Sequence, residues 1–167
     1  MVTVEELCPH HAMQLKQVRL TALKDTPSAF GSTYTRESNR TDEDWIRLAS
    51  AWNGQGSVFY IAIEHGEPCG MIGGTLDEEA PRRAWVRSMW VAPAHRRMNL
   101  GTRLMNEVQR WAQRAGMDEL RLMVTSNNAP ALAFYEKCGF LRTGMKQPYD
   151  NDPSLFEFEM SRAIQSR

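Results

Sequence analysis

The sequence lacks an excess of charge of either sign. Twenty lysine and arginine side chains balance twenty aspartate and glutamate side chains in 167 residues, which gives a formal net charge of +0 at neutral pH. A bulk positive field that would hold nucleic acid or an anionic membrane is therefore missing, and any anion must be recognised by a local cluster. We expect neither a nucleic-acid partner nor a membrane partner.

Long apolar runs and metal-ligand patterns are also missing. No run approaches the roughly 20 apolar residues that a membrane-spanning helix needs. The first ten residues, MVTVEELCPH, hold two glutamates where a secretory leader has a basic and then an apolar stretch. The cysteines and histidines show no metal-ligand spacing: Cys8, Cys69, Cys138, His10, His11, His65 and His95. These features predict a cytoplasmic protein with reduced thiols and no metal.

The composition is that of one ordinary globular domain. The apolar fraction is 42% and the charged fraction 24%, which excludes disordered and fibrous classes. A chain of 167 residues can bury one continuous core. No repeat, low-complexity tract or change of composition indicates a boundary. We therefore expect residues 1–167 to form a single domain.

Hydrophobic periodicity divides the chain into helices and strands. Apolar residues recur at three- and four-residue spacing, with capping or helix-breaking residues at the ends, in residues 12–24, 41–52, 100–116 and 128–139. Short apolar runs bounded by turn residues predict strands at 57–63, 69–76, 84–91, 120–124, 140–145 and 155–160. The strand-helix-strand succession over residues 84–125 predicts a parallel pair. The sum predicts an α/β sandwich with a mixed, mostly antiparallel sheet of six to seven strands and about four helices.

A basic loop between the third strand and the third helix has the composition of a phosphate site. It reads Val91-Ala-Pro-Ala-His-Arg-Arg-Met-Asn-Leu-Gly-Thr-Arg-Leu, and the helix begins near Leu100. Helix N-termini carry unpaired N–H groups and a partial positive charge, and small residues let the backbone approach a ligand. A pyrophosphate group would fit there.

A second segment, downstream of this loop, reads Asn128-Ala-Pro-Ala-Leu-Ala-Phe-Tyr-Glu-Lys-Cys-Gly-Phe. The two segments resemble motifs A and B of the GNAT acetyltransferases, Val-x-Pro with Arg/Gln-x-x-Gly-x-Gly/Ala and Asn-x-x-Ala-x-x-x-Tyr-Glu-Lys-x-Gly-Phe. The resemblance covers residues 57–140 and fills every place of motif B. In motif A, Arg96 stands at the Arg/Gln position and Gly101 at the second glycine position. Asn99 replaces the first glycine. Asparagine is the residue that best tolerates left-handed backbone after glycine.

The resemblance implies a cofactor, a set of binding residues and a catalytic residue. Acetyl-coenzyme A would be the co-substrate, and the backbone of Trp90 and Val91 would pair with its pantetheine arm. Main-chain amides of the loop would hold the pyrophosphate, and the side chains of Arg96 and Arg97 would add positive charge. These amides belong to Arg96, Arg97, Met98, Asn99, Leu100, Gly101 and Thr102. Asn128 would contact the pantetheine amides. Tyr135 would lie near the sulfur and protonate the leaving thiolate, which makes it the candidate general acid.

The base and the acceptor stay open at the level of the sequence. A protonated alkylamine has a pKa of roughly 10, so a base or a water relay is needed at neutral pH. Candidate bases are Ser88, Asp77, Glu78, Glu79 and Glu37. We expect direct attack by the primary amine of a small molecule in a ternary complex.

Other interpretations stay beside this one. The acceptor could instead be a protein N-terminus or lysine. A coenzyme A-binding sensor without turnover is an alternative function, as is a different phosphate-binding strand-helix protein. Homodimers are common in families of this resemblance, so a homodimer is a possible assembly.

Overall fold

The computed structural model describes residues 1–54 and 56–165. Its strands are β1 (Thr3–Glu6), β2 (Ser57–Glu64), β3 (Glu67–Leu76), β4 (Arg83–Val91), β5 (Glu119–Thr125), β6 (Leu141–Tyr149) and β7 (Asp152–Ala163). Its helices are α1 (Ala12–Asp25), α2 (Tyr34–Ser38), α3 (Asp42–Ala51), α4 (Leu100–Arg114) and α5 (Ala129–Lys137). None of the helices in these described ranges is long and apolar enough to cross a membrane.

The strands form one 7-stranded sheet in the order β1-β2-β3-β4-β5-β7-β6. Strands β1 to β4 pair antiparallel, as do β5 with β7 and β7 with β6. Strands β4 and β5 are parallel, and their register covers only residues 83–85 against 119–121. The expected α/β architecture with a mixed, mostly antiparallel sheet is confirmed, and so is the parallel pair across α4.

Helices cover both faces of the sheet and bury two apolar layers. On one face α4 and α5 pack against the strands through Leu100, Leu104, Met105, Val108, Ala112, Leu120, Leu122 and Met160. On the other face α1 and α3 pack against β2 and β3 through Leu15, Val18, Ala22, Trp45, Ala49, Phe59, Ile61 and Met71. Burial of a leucine such as Leu104 contributes roughly 1.5–3 kcal/mol to folding.

Local interactions explain where α3 and α5 begin and where α5 ends. Thr41 and Asp44 form a reciprocal cap at the start of α3, with N–H to side-chain oxygen distances of 3.2 and 2.9 Å. Asn128 caps α5 through a 3.2 Å hydrogen bond from the Ala131 N–H to its Oδ1. Gly139 follows α5 at φ 91, a left-handed conformation that glycine adopts without strain.

The four expected helices are confirmed as α1, α3, α4 and α5, and the six expected strands as β2 to β7. Helix α2 and strand β1 were not expected. Strand β1 is a sheet edge in which three of four residues are exposed, so its sequence carries no apolar alternation. Helix α2 is a turn of 5 residues that depends on the Thr33 cap.

Candidate active site

The sheet opens into a cleft between β4 and β5. Beyond residues 85 and 121 the two strands no longer pair. Residues of both strands and of α5 line the cleft: Val86, Ser88, Met89, Val124, Asn128 and Tyr135. The cleft lies at the carboxyl ends of two parallel strands, beside the helices that follow them. Such a position is the usual ligand site in sheets with parallel strands.

A β-bulge shapes the β4 wall of this cleft. Met71 pairs with Trp90 and Gly73 with Arg87, so Ser88 and Met89 together oppose the single residue between Met71 and Gly73. Ser88 has φ 54, a left-handed conformation that a serine rarely adopts. The bulge adds one residue to β4 and so changes which main-chain groups face the cleft.

Strand alternation identifies the main-chain groups at the open edge. The Ala92 N–H donates to the Cys69 carbonyl at 2.9 Å, so Ala92 is directed towards β3. Because successive extended residues point their N–H and C=O groups to opposite sides, Trp90 also faces β3, whereas Met89 and Val91 face the cleft. The geometry therefore favours Val91 over Trp90 as the backbone partner of a bound chain, while the sequence analysis expected both.

The loop before α4 has the conformation of an anion site. Arg97 has φ 64 and Asn99 φ 61, so two left-handed residues precede the helix. The side chain of Asn99 makes no capping hydrogen bond, and the first N–H groups of α4 have no partner within the helix. Asn99 thus holds the left-handed conformation that was expected at its position. When left-handed residues alternate with residues of other conformations, successive amide N–H groups point to the same side and form a concave anion site.

Gly101 has a packing role in addition to its motif place. A Cβ atom there would lie 3.1 Å from the Phe134 ring and 3.3 Å from Met89 Cε. Glycine therefore lets α4 approach α5 and the bulged strand closely. Met98 is 65% exposed, and Leu100, the first residue of α4, is buried in the core.

The two loop arginines differ in their surroundings. The Arg96 guanidinium lies 2.5 Å from Asp25 Oδ2, and its Nε donates to the Val91 carbonyl at 2.9 Å. These two contacts hold the partly exposed side chain of Arg96, which the sequence analysis expected at a phosphate. Arg97 is exposed and forms no ion pair with the described residues. Thr102 is also exposed, in the first turn of α4.

Tyr135 lies on the cleft side of α5 and is 8% exposed. Its ring packs beside Phe134 and Phe140, with centroid distances of 5.5 and 6.0 Å. Burial raises the pKa of the Tyr135 hydroxyl well above its ordinary value, so the hydroxyl stays protonated at neutral pH. No hydrogen bond joins this hydroxyl to another described residue, so it is free to contact a ligand in the cleft.

Three of the candidate bases lie at the wrong end of β4. Asp77, Glu78 and Glu79 follow β3, and Asp77 accepts hydrogen bonds from the Glu79 N–H at 2.9 Å and from Trp85 Nε1 at 2.9 Å. This turn is adjacent to the first residues of β4. Five residues of extended chain separate it from the bulge, about 16 Å. The Asp77 carboxylate stabilises the turn, and none of the three carboxylates lines the cleft.

The other two candidate bases meet through an arginine that was not expected at the site. Arg19 Nη1 donates to Ser88 Oγ at 2.9 Å, and Arg19 Nη2 donates to Glu37 Oε1 at 2.9 Å. Burial alone would raise the pKa of Glu37, but the charge of Arg19 and hydrogen bonds from Arg19 and Arg40 lower it. Glu37 is thus an ionised partner of two arginines and a poor proton acceptor.

A bridge of hydrogen bonds holds the loop between α1 and α2, whose Ala29 lines the cleft. The Tyr149 hydroxyl donates to the Phe30 carbonyl at 2.5 Å, and Asn151 Nδ2 lies 3.3 Å from the Gly31 carbonyl. The turn between β6 and β7 is therefore fastened to the loop between α1 and α2.

One group of potential metal ligands lies away from the cleft. Ligand atoms of Cys8, His10 and His11 are within 4.8 Å of one another, although their sequence spacing did not suggest a site. His11 Nδ1 accepts the Cys8 N–H at 3.1 Å, and His11 Nε2 lies 3.3 Å from Glu5. Both ring nitrogens of His11 thus already have partners.

Comparison with known proteins places these features in a family. The family profile described as Acetyltransferase (GNAT) family matches residues 20–140, more than half of the chain. The chain is 25% identical over 149 residues to a protein named "Probable N-acetyltransferase san" from Drosophila melanogaster, covering 89% of this chain and 72% of that protein. A match to the streptothricin acetyltransferase of Streptomyces lavendulae is 36% identical over 64 residues, covering 38% of this chain and 34% of that protein.

A solved structure gives the same result at the level of the fold. The protein YncA of Salmonella typhimurium, solved with its cofactor acetyl-CoA, has a TM-score of 0.81 and 17% identity, covering 100% of this chain and 96% of that chain. The family profile, the relatives and the fold agree with the two sequence motifs. The chain belongs to the GNAT family of acetyltransferases and is an acyltransferase.

Proposed function

We propose that this protein transfers the acetyl group of acetyl-CoA to the primary amine of a small molecule, by direct attack in a ternary complex. The observation that carries the proposal is the cleft between the unpaired edges of β4 and β5, which the protonated Tyr135 of α5 lines, beside the left-handed loop that precedes α4. The shared fold with YncA, which was solved with acetyl-CoA, supports the choice of cofactor.

Each part of the cofactor has a matching group in the cleft. The open main-chain edge at Met89 and Val91 would pair with the pantetheine arm, as an added strand does. Asn128 Oδ1 is engaged as a helix cap, which leaves its Nδ2 group for a pantetheine carbonyl. The α4 amides and the exposed Arg97 would hold the pyrophosphate. Arg96 would act through its main chain, because Asp25 holds its side chain.

The chemistry proceeds in two steps. The neutral amine attacks the thioester carbonyl carbon, and an N–H group at the open edge, on Met89 or Val91, stabilises the negative charge on the oxygen. The C–S bond then breaks, the Tyr135 hydroxyl gives its proton to the leaving sulfur, and a proton from solvent restores the hydroxyl for the next turnover. The proton released by the amine passes to water, because Glu37 is held by two arginines and the Asp77 turn lies far away.

The bridge of hydrogen bonds beside the cleft limits the shape of acceptor that we expect to fit. Since Tyr149 and Asn151 fasten the β6–β7 turn to the α1–α2 loop, an amine at the end of a molecule fits better than one in the middle of a long chain. Similarity to the streptothricin acetyltransferase supports a small molecule. A protein N-terminus also presents its amine end-on, so it is the second candidate.

The test combines calorimetric titration with acetyl-CoA and measurement of thiol release against a panel of small amines and short peptides. Binding followed by amine-dependent thiol release is the expected result. Binding without release on any amine would favour a coenzyme A sensor. Equal binding of nucleotides and acetyl-CoA would instead indicate a different phosphate-binding protein, and the proposal would be wrong.

A further inference from the structure

A chain of buried polar contacts reaches the β4 bulge from the helix side of the sheet. Arg19, in the middle of α1, donates to Ser88 Oγ through Nη1 and to Glu37 Oε1 through Nη2, both at 2.9 Å. The second carboxylate oxygen of Glu37 accepts from Arg40 Nε at 2.8 Å. The side chains of Arg19 and Glu37 are 15% and 5% exposed. These contacts join α1 and α2 to β4, whose Ser88 lies 69 positions after Arg19.

The contacts hold Arg19 in a single orientation. Glu37 is ionised, since its two arginine partners outweigh the effect of burial on its pKa. The Arg19 guanidinium also lies over the Phe30 ring, 5.7 Å from the centroid. A planar guanidinium fixed by a carboxylate on one side presents its remaining N–H groups in a defined direction. That direction leads to the Ser88 hydroxyl.

Ser88 is the residue of β4 that needs such support. Its φ of 54 is unfavourable for a residue with a Cβ atom, and such strain persists only where the surroundings enforce it. Its hydroxyl contact with Arg19 is the one side-chain hydrogen bond that Ser88 makes with the described residues. If the bulge relaxed to regular strand, strand alternation would turn the main-chain groups of Met89 away from the cleft.

We propose that Arg19, oriented by Glu37, is a positioning residue that holds the Ser88 bulge and thereby directs the open-edge N–H groups of β4 at the reacting carbonyl. This inference rests on the proposed acetyl transfer. It assigns to Glu37 a role in geometry, not in proton transfer, and it gives Arg19 a role that neither sequence motif includes.

The experiment compares Arg19→Met in two backgrounds, the natural chain and Ser88→Gly. In the natural background, R19M should lower kcat about 10- to 100-fold, with the KM for acetyl-CoA within about twofold, because a misplaced donor affects the transition state most. In the S88G background the same R19M change should lower kcat by no more than about threefold, since glycine adopts positive φ without support. Lys16→Met, a partly exposed residue of the same helix paired with Asp42, is the matched control.

A second measurement does not depend on turnover. The three-bond HN–Hα coupling of Ser88 reports its φ angle, and it should move towards the value of an extended residue in R19M and in the isosteric Glu37→Gln. Glu37→Gln also serves if R19M does not fold. An unchanged coupling in both variants would overturn the inference. So would a loss of kcat in R19M that is the same in both backgrounds, or a rise in acceptor KM alone, because Arg19 would then contact the acceptor directly.

The two proposals fail in different ways. If the natural chain releases no thiol with any amine, the proposed function fails, while the Ser88 coupling still decides whether Arg19 holds the bulge. If the natural chain is active and R19M matches it in kcat, only the positioning role fails.

Discussion

Asp25, the last residue of α1, holds the side chain of Arg96, the first motif residue of the phosphate loop, at 2.5 Å. The same carboxylate oxygen accepts the indole N–H of Trp90 at 3.0 Å. Arg96 in turn donates to the Val91 carbonyl at 2.9 Å. A single carboxylate at the end of α1 therefore holds side chains of the strand and of the loop that frame the proposed cofactor site.

Asp25→Asn should weaken the binding of acetyl-CoA. Burial alone would raise the pKa of Asp25, but hydrogen bonds from Trp90, Thr26 and Arg96 lower it, so the carboxylate is ionised at neutral pH. Loss of one charge-assisted hydrogen bond at a partly exposed site is worth about 1 kcal/mol, or roughly a fivefold rise in Kd. Calorimetry measures the change. Asp42→Asn, at an exposed surface pair with Lys16, should leave Kd unchanged.

Replacement of Asn99 tests the left-handed backbone of the loop. Asn99→Gly should preserve or tighten acetyl-CoA binding, because the backbone keeps its φ of 61 and the side chain is removed. Asn99→Ala should be less stable than Asn99→Gly by about 1 kcal/mol, since alanine resists positive φ. Urea unfolding of the two variants measures their stability, and calorimetry measures their affinity for acetyl-CoA. Equal stability of the two variants would show that the loop does not depend on this conformation.

Tyr135→Phe should separate catalysis from binding. Loss of a general acid lowers kcat by about 100-fold or more, whereas the Kd for acetyl-CoA and the stability should change little. The hydroxyl has no hydrogen bond with a described residue to lose, and the ring packing against Phe134 and Phe140 is kept. Steady-state kinetics and thermal unfolding measure the two effects. An equal loss of affinity and rate would assign Tyr135 to binding.

The pH dependence of kcat follows from the burial of the same hydroxyl. A general acid works only while protonated, and burial raises the pKa of Tyr135 above its ordinary value of 10.0. The rate should therefore show no alkaline decline from Tyr135 between pH 7 and about pH 10. Single-turnover measurements across this interval provide the check, and a decline that disappears in Tyr135→Phe would contradict the expected shift.

Cofactor binding should protect the amides along the opening in the sheet. Residues 86–91 and 122–125 follow the last β4–β5 pairs, so a ligand chain would supply new hydrogen-bond partners there. A ligand at 100 times its Kd stabilises the folded state by about 2.7 kcal/mol. Hydrogen exchange with and without acetyl-CoA should show slowing concentrated in these residues. Uniform slowing across β2 and β3 as well would point to a different site.

Most of the fold could be predicted from local and periodic patterns in the sequence. Helix α4 was predictable because its buried residues recur at three and four positions, and α5 because Asn128 and Gly139 mark its two ends. The left-handed conformation at Asn99 was likewise predictable from the motif place and from the tolerance of asparagine. In each case the determining residues lie within a few positions of one another.

The parts that were not predicted depend on distant partners. The bulge at Ser88 is defined by register with β3, and the Arg19 contact joins residues 69 positions apart. Arg96 matches the residue type of its motif position, but Asp25, 71 positions earlier, determines where its side chain points. No spacing rule within one segment reports such contacts, since each forms only after the sheet and α1 have packed.

The short register between β4 and β5 has a consequence for how long the protein survives. Two strand edges that do not pair with each other lie on opposite sides of the cleft, at the place where a further strand would lie. A pantetheine chain bound there, as proposed, would complete the sheet, so the loaded protein would open less often and offer proteases fewer targets. The supply of acetyl-CoA would then regulate the abundance of the protein as well as its rate.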